Sequence, residues 1–184
     1  MESNQSLTAL VYPFNTLSNW RLLFIGFFCA LLLFSEQVVA QISIKGQLDR
    51  LSFSLVSILR ERTQLYNSDY TVSRDDATAL YTIAKNSLTR TLSSYDSNNL
   101  GATIEGLTFD DNGKSQVTRY NLGSHQCNLS KTIASYSNLS VETSWGRRDP
   151  LYRVTLCYKG ANFYGAAYGG DYSEVSTSSI SLGR

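Results

Sequence analysis

LLFIGFFCALLLF, residues 22–34 of the chain, is a run of thirteen consecutive apolar residues. A run of about 18 or more predicts a membrane span, whereas one of about 10–14 is also typical of a signal-peptide core or a buried helix. Val38-Val39-Ala40 extends the apolar segment and places small residues where a signal peptidase cuts, before Gln41. Three interpretations therefore stay open from the residues alone. One is a retained transmembrane helix over 22–40, another is a signal peptide removed after Ala40, and the third is a buried helix of a cytosolic protein.

The composition and motifs argue against several classes of function. The formal net charge is +1 over 184 residues, so no basic excess favours nucleic acid as a partner. His125 is the one histidine, and no serine lies in a G-x-S-x-G motif. The glycines of 165–170 lack the Lys-Ser/Thr of a phosphate-binding loop. We therefore predict a non-enzymatic protein without catalytic residues, cofactor or metal.

Two cysteines lie after the apolar segment. In an exported chain, an isolated pair such as Cys127 and Cys157 predicts a disulfide. Such a bridge closes a loop of some 30 residues and would stabilise the fold by roughly 3–4 kcal/mol on the chain-entropy model. His125 lies two residues before Cys127, which makes a metal site the alternative, although the sequence suggests no fourth ligand.

The pattern after the apolar segment predicts that the helix continues. Apolar residues recur at spacings of three and four, a helical stripe formed by Leu48, Leu51, Leu55, Ile58, Leu59 and Leu65. Gly46 costs about 1 kcal/mol inside a helix but need not end it. We predict one long helix, with two helices kinked at Gly46 as the alternative. We expect Leu48, Leu51, Leu55 and Leu59 to dock it on a globular domain.

A second helix and a sheet are predicted further along the chain. Ser73 is suited to cap a helix, and Asp75 and Asp76 in its first turn favour the positive end of the helix dipole. Beyond residue 102 the apolar period shortens toward two, and Asn112-Gly113 predicts a hairpin between 103–109 and 116–120. Further strands are predicted over Val141–Trp145, Leu151–Tyr158 and Val175–Leu182.

These patterns predict an α+β fold with a long N-terminal helix, a second helix and an antiparallel β-sheet. We divide the chain into an N-terminal polar segment over 1–21, an apolar transmembrane helix over 22–40 and a globular domain over 41–184.

Three segments carry a resemblance to a known family. They are KGQLDRLSFSL at 45–55 with LRERTQLY at 59–66, PLYRVTLCY at 150–158 and SSISLGR at 178–184. They resemble the TadF-type minor pseudopilins of the bacterial tight adherence (Flp, type IV) pilus. The resemblance implies a pilin-like, single-pass inner-membrane protein with a periplasmic domain. It also implies a role in pilus assembly or priming and, as partners, the membrane, pilin and pseudopilin subunits or assembly machinery.

The chain departs from the prepilin pattern at the apolar run. Processing by a prepilin peptidase needs a glycine before the cut and a glutamate shortly after it. Here Gly26 lies inside the run and Glu36 lies near its far end. An unprocessed assembly factor of the inner membrane is therefore equally consistent with the sequence.

Two small residues suggest how the membrane helix packs. Gly26 and Ala30 are four residues apart on one helix face, where backbones of neighbouring membrane helices can approach closely. The competing functional hypothesis is a secreted or periplasmic binding module released after Ala40, with Tyr164–Tyr172 as its ligand surface.

Overall fold

The structure, a computed structural model, describes residues 8–65, 70–110, 112–144, 146–160, 169 and 173–183. Within these ranges it has two α-helices and four β-strands. The elements are α1 (Thr8–Leu65), α2 (Arg74–Thr91), β1 (Leu100–Phe109), β2 (Ser115–Gly123), β3 (Leu151–Lys159) and β4 (Glu174–Leu182). Short 3-10 helices span Ser97–Asn99 and Ile133–Leu139. This is the predicted α+β fold.

The first helix is continuous over 58 residues. Gly46 lies inside it without interrupting it, which confirms one long helix over two helices with a kink. The helix begins at Thr8, so most of the N-terminal polar segment is helical as well. The chain divides into two compact units, Met1–Ala40 and Gln41–Arg184.

The four strands form one antiparallel sheet in the order β2-β1-β3-β4. The predicted hairpin is confirmed, because β1 and β2 pair from Gly101↔Gly123 to Phe109↔Ser115. At its turn, Asp110 Oδ1 accepts hydrogen bonds from the backbone N–H groups of Asn112 and Lys114. Gly113 has φ +73°, a conformation that glycine adopts without a Cβ penalty. The central strands are β1 and β3, and the two edges are β2 and β4.

The second helix begins as predicted. Ser73 is its N-cap, and the Ser73 Oγ accepts a hydrogen bond from the Asp76 N–H at 3.2 Å. The Asp76 carboxylate accepts in return from the Ser73 N–H at 3.0 Å, which completes a capping box. Its buried residues are Ala77, Leu80, Ala84 and Leu88, while Tyr81 and Leu92 are partly buried against the same core.

The main core lies between the helices and one face of the sheet. Since successive side chains of a strand point to opposite faces, β1 and β3 each contribute alternate residues to this core. Members from the sheet are Leu100, Ala102, Ile104, Tyr152, Val154, Leu156 and Tyr158. We call this the helix face and the opposite surface the far face.

The far face is covered in part by the connection between β2 and β3, residues 124–150, which we call the covering segment. Ile133 of the second 3-10 helix is fully buried against Leu107 and Leu151, with Phe109 and Ile180 packed around them. The covering segment lets the sheet bury both faces of its two central strands, which explains the unbroken burial of Leu100–Leu107 and Leu151–Tyr158.

The predicted strand over Val141–Trp145 is wrong for the residues that the structure describes. Glu142 makes a single bridge to Arg148, and the Thr143 N–H donates to the Arg147 carbonyl at 2.7 Å, so the chain folds back on itself. Gly146, with φ +71°, makes that reversal feasible. Val141 is exposed and has no core to face, so apolar alternation over five residues did not specify a sheet strand. Trp145 lies outside the described residues.

Candidate functional site

The apolar part of α1 exposes its large side chains around the whole helix. Fourteen large hydrophobic residues between 20 and 42 are exposed, a set that runs from Trp20 through the segment 22–34 to Ile42. The helix over Asn19–Glu61 is long and apolar enough to cross a membrane, and its most apolar window has no buried residue. Monomeric soluble proteins rarely expose a contiguous apolar patch beyond a few hundred Å². This surface therefore points to a lipid or protein environment that covers it.

The polar groups of this helix fit such an environment. The Ser35 hydroxyl donates to the Leu31 carbonyl at 2.8 Å, so the serine is satisfied within its own helix. Glu36 is exposed, one turn before the apolar segment ends at Ala40. A carboxylate at that position can extend toward the headgroup region rather than the hydrocarbon.

Gly26 and Ala30 both lie exposed on the apolar helix. A Cβ built on Gly26 meets no described atom within 4 Å, so nothing within the described part of the chain requires a glycine there. The role of Gly26 and Ala30 in helix packing therefore stays a prediction. A second membrane helix would have to supply the residues that pack against them.

The predicted docking stripe lies on the buried side of α1 within the unit 41–184. Leu48, Leu55 and Leu59 belong to the core cluster, and Leu51 is partly buried against it. Ile58 is half exposed because it lies about 100° around the helix from Leu59, outside the buried arc. The side chain of Leu65 lies outside the described residues.

A serine that the apolar pattern did not single out lies within the same buried arc. Ser52 is fully buried, and its hydroxyl donates to the Asp49 carbonyl at 2.9 Å. The Ser52 Oγ also lies 2.8 Å from the Ser179 Oγ of β4, so a hydrogen bond joins α1 to an edge strand. From the sequence alone, a serine within an apolar helical stripe does not predict such a hydrogen bond, because the strand that supplies the partner is not known.

The far face holds a buried ion pair. Glu105 of β1 and Arg153 of β3 are direct partners in the strand register, and both are almost fully buried. The Arg153 Nε donates to the Glu105 Oε2 at 2.5 Å, and the Arg153 NH2 group contacts the same oxygen. That NH2 group also donates to the Lys131 carbonyl at 2.8 Å. Arg119 of β2 lies 3.9 Å from the Glu105 Oε1, so the carboxylate lies between two guanidinium groups.

A small pocket adjoins this ion pair. It has a volume of about 210 Å³ and is lined by Arg153, Tyr136, the connection over 128–131 and hydroxyl residues of β3 and β4. The Arg153 guanidinium lies over the Tyr136 ring, 5.7 Å from the centroid. Because ligand pockets are commonly about 300–1,000 Å³, this cleft is small for an organic substrate.

The two cysteines of the globular unit form a disulfide. Cys127 lies in the covering segment and Cys157 in β3, with their Cα atoms 5.5 Å apart. The bridge therefore ties the covering segment to the far face of the central sheet. Gly101, the β1 partner of Cys157, lies so close to the His125 carbonyl that a Cβ at this position would collide with it.

A cluster of metal-ligating residue types surrounds this bridge. The ligand atoms of His125, Cys157 and Glu174 lie within 4.8 Å of one another. The His125 Nε2 lies 3.8 Å from the Glu174 Oε1, which is too far for a direct hydrogen bond. Among the described residues that nitrogen is buried without a hydrogen-bond partner.

Two tyrosines show shifted titration. Burial, with smaller contributions from Tyr81, Tyr158 and Asp96, raises the pKa of Tyr95 to about 12. Burial also raises the pKa of Tyr81. The Tyr95 ring stacks on Tyr158 at 5.9 Å between centroids, beside the core. These shifts follow from the burial of Tyr81 on α2 and of Tyr95 in the connection that follows α2.

Comparison with known proteins supplies the family. No curated protein and no solved structure matches the chain significantly. A family model described as tight adherence pilin protein F, TadF, matches residues 18–184. The match includes the exposed apolar part of α1, the part of α1 that carries the buried leucines, and the whole sheet. Because it covers nearly the whole chain, this protein belongs to the TadF family of the tight adherence pilus system.

Proposed function

We propose that this protein is a minor pseudopilin or an assembly and priming component of the tight adherence pilus, retained in the inner membrane by residues 22–40. The observation that carries the proposal is the apolar helix surface, exposed on all sides, in a chain of the TadF family. A pilus component needs such a surface for lipid or for neighbouring helices. The role is structural, and the globular unit would lie on the periplasmic side.

Energetics support insertion of this segment. Near the centre of a membrane helix each Leu, Ile or Phe contributes about −0.3 to −0.6 kcal/mol to insertion. The run 22–34 consists of these residues apart from Gly26, Cys29 and Ala30, and it contains no charge. Arg21 at its start and Glu36 after its end lie where charged side chains can extend to the interface.

The continuity of α1 supports retention over release after Ala40. Residues 38–42 are helical within an uninterrupted helix that continues to Leu65. Further along the same helix, Leu48, Leu55 and Leu59 are buried in the core of the globular unit. Unwinding around Ala40 would have to occur next to this docked segment.

Gly26 and Ala30 provide the contact surface for a neighbouring pilin-type helix in this proposal. Membrane helices associate largely through van der Waals packing, so two small residues one turn apart allow close backbone approach. Replacing both with leucine would fill that surface without removing apolar character. Insertion into the membrane would then persist while association with a partner helix is lost.

The test combines gene deletion with complementation. Deletion should abolish surface pili, and the wild-type gene should restore them. The Gly26→Leu/Ala30→Leu variant should reach normal protein level in the inner-membrane fraction but fail to restore pili. The matched control is the exchange Gly26→Ala/Ala30→Gly, which keeps both residues small and should restore them. Normal piliation in the deletion strain, or a soluble mature protein that starts at Gln41, would contradict the proposal.

A further inference from the structure

The residues around the disulfide have the composition of a tetrahedral zinc site. We propose that Cys127, Cys157, His125 and Glu174 bind a Zn²⁺ ion when the Cys127–Cys157 disulfide is reduced. Zinc in proteins is typically held by four ligands drawn from cysteine sulfur, histidine nitrogen and carboxylate oxygen. Three of these ligand atoms already lie within 4.8 Å of one another, and Cys127 is bonded to one of the three residues.

The fold brings these groups together from three separate places. Cys157 pairs with Ser176 in the β3–β4 ladder, and Glu174 lies two residues before Ser176 on the same face of β4. His125 follows β2 by two residues, and the close approach of its carbonyl to Gly101 places it against the sheet. Cys127 follows on the same segment. The cluster therefore depends on the strand register as well as on the bridge.

The separations among His125, Cys157 and Glu174 suit a metal after a small contraction, and the two bonded sulfurs have to move apart once they are reduced. Zinc bonds of about 2.0–2.1 Å to nitrogen or oxygen and about 2.3 Å to sulfur place tetrahedral ligand atoms roughly 3.3–3.8 Å apart. The His125 Nε2 and Glu174 Oε1 are 3.8 Å apart, and the largest separation in the cluster is 4.8 Å. Rotation of these side chains between staggered rotamers can shorten such distances.

The unpartnered imidazole nitrogen provides an independent reason to expect a ligand. Most buried side-chain polar atoms have a hydrogen-bond partner, and the exceptions require an explanation. Within the described residues the His125 Nε2 has none, and it is directed toward Glu174 and the bridge. A metal ion in the cluster would satisfy this nitrogen and the Glu174 carboxylate together.

Reduction of the disulfide controls the site. A dithiol reductant supplies two electrons and two protons, so the Cys127–Cys157 bond is replaced by two thiols and the reductant becomes a disulfide. Zinc then binds the two thiolates, which releases two protons. In the oxidised protein only His125 and Glu174 remain as good ligands, too few for a structural zinc site. Either the disulfide or the metal can thus tie the covering segment to β3.

The experiment uses the full-length protein in detergent micelles and needs no pilus readout, so it is independent of the proposed function. The reduced protein should bind one Zn²⁺ per chain in competition with a chromophoric chelator. With Co²⁺ it should give thiolate charge-transfer bands and the intense visible bands of tetrahedral cobalt. The oxidised protein should give neither result.

Variants distinguish a four-ligand zinc site from simple chelation by the two thiols alone. His125→Asn and Glu174→Gln should each weaken zinc binding by more than an order of magnitude, while Ser176→Ala on the same strand should not change it. Equal binding by all of these reduced proteins would overturn the proposal. If reduction unfolds the globular unit, added Zn²⁺ should restore its near-ultraviolet circular dichroism, and failure to restore it would also overturn the proposal.

Discussion

Glu105 and Arg153 face each other across the two central strands and form a buried charge pair in the middle of the sheet. Arg153 also donates a hydrogen bond to the Lys131 carbonyl, and the Arg119 guanidinium lies 3.9 Å from the Glu105 carboxylate. A one-residue shift of either strand would place Glu105 and Arg153 on opposite faces, with one of the two charges in the apolar core on the helix face. The pair therefore favours the native register over shifted alternatives.

Removing one member of this pair should destabilise the fold more than removing both. Arg153→Met leaves the Glu105 carboxylate buried with only a distant guanidinium, and we expect a loss of about 3–5 kcal/mol in the free energy of unfolding. The double variant Glu105→Leu/Arg153→Met should recover most of that loss. Urea unfolding followed by near-ultraviolet circular dichroism measures both. A double variant as unstable as the single one would show that the charges themselves stabilise the sheet.

Leu55 tests the docking of α1 on the globular unit. Its side chain is 1% exposed, so Leu55→Asp buries an unpaired carboxylate and removes an apolar contact. We expect a loss of more than about 4 kcal/mol in unfolding free energy. Phe53→Asp is the matched control, because Phe53 lies two residues away on the same helix and is 67% exposed. Equal stability of the two variants would show that the stripe is not a docking surface.

The disulfide should be detectable in intact cells and in the purified protein. If the globular unit lies in an oxidising compartment, a thiol probe should label Cys127 and Cys157 only after a reductant is added. Cys127→Ser/Cys157→Ser should lower the unfolding free energy by roughly 3–4 kcal/mol, since the bridge joins residues 30 apart. Direct labelling of both cysteines without reductant would rule out the bridge in that compartment.

Alkaline pH should destabilise the protein through Tyr95. Its pKa is about 12 in the folded state against an ordinary value of 10.0, so the folded protein holds this proton more tightly than the unfolded chain does. The associated stability is complete below pH 10 and is lost as the pH rises toward 12. Tyr95→Phe removes this titration and also a buried hydroxyl without a described partner. Its melting temperature should fall less than that of the wild type over this pH range.

Local signals in the sequence were sufficient for most of the architecture. Ser73 and Asp76 form the capping box within four residues of chain, and Asn112-Gly113 sets the hairpin turn. The leucine stripe predicts the buried side of α1 because helical periodicity extends over many turns. The strand Val141–Trp145 failed because a five-residue alternation contains no comparable repetition.

Long-range relationships were the part that the sequence did not reveal. Neither Glu105 nor Arg153 is unusual within its own strand, and their pairing appears only when the β1–β3 register is known. The same holds for Glu174, which joins His125 and Cys157 through the β3–β4 ladder. The disulfide was an exception, because the two cysteines of the unit 41–184 leave a single pairing within that unit.

The hydrogen bond between Ser52 and Ser179 joins residues 127 positions apart in the chain. During synthesis, α1 emerges well before its partner in β4. The leucine stripe of the nascent helix therefore lacks this edge strand until the chain has grown through Ser179. Leu48, Leu55 and Leu59 pack mainly with residues of α2, β1 and β3, so most of their core precedes β4 in the chain. A chain stopped before β4 would therefore keep most of the core but leave the buried Ser52 hydroxyl without its partner on the sheet edge.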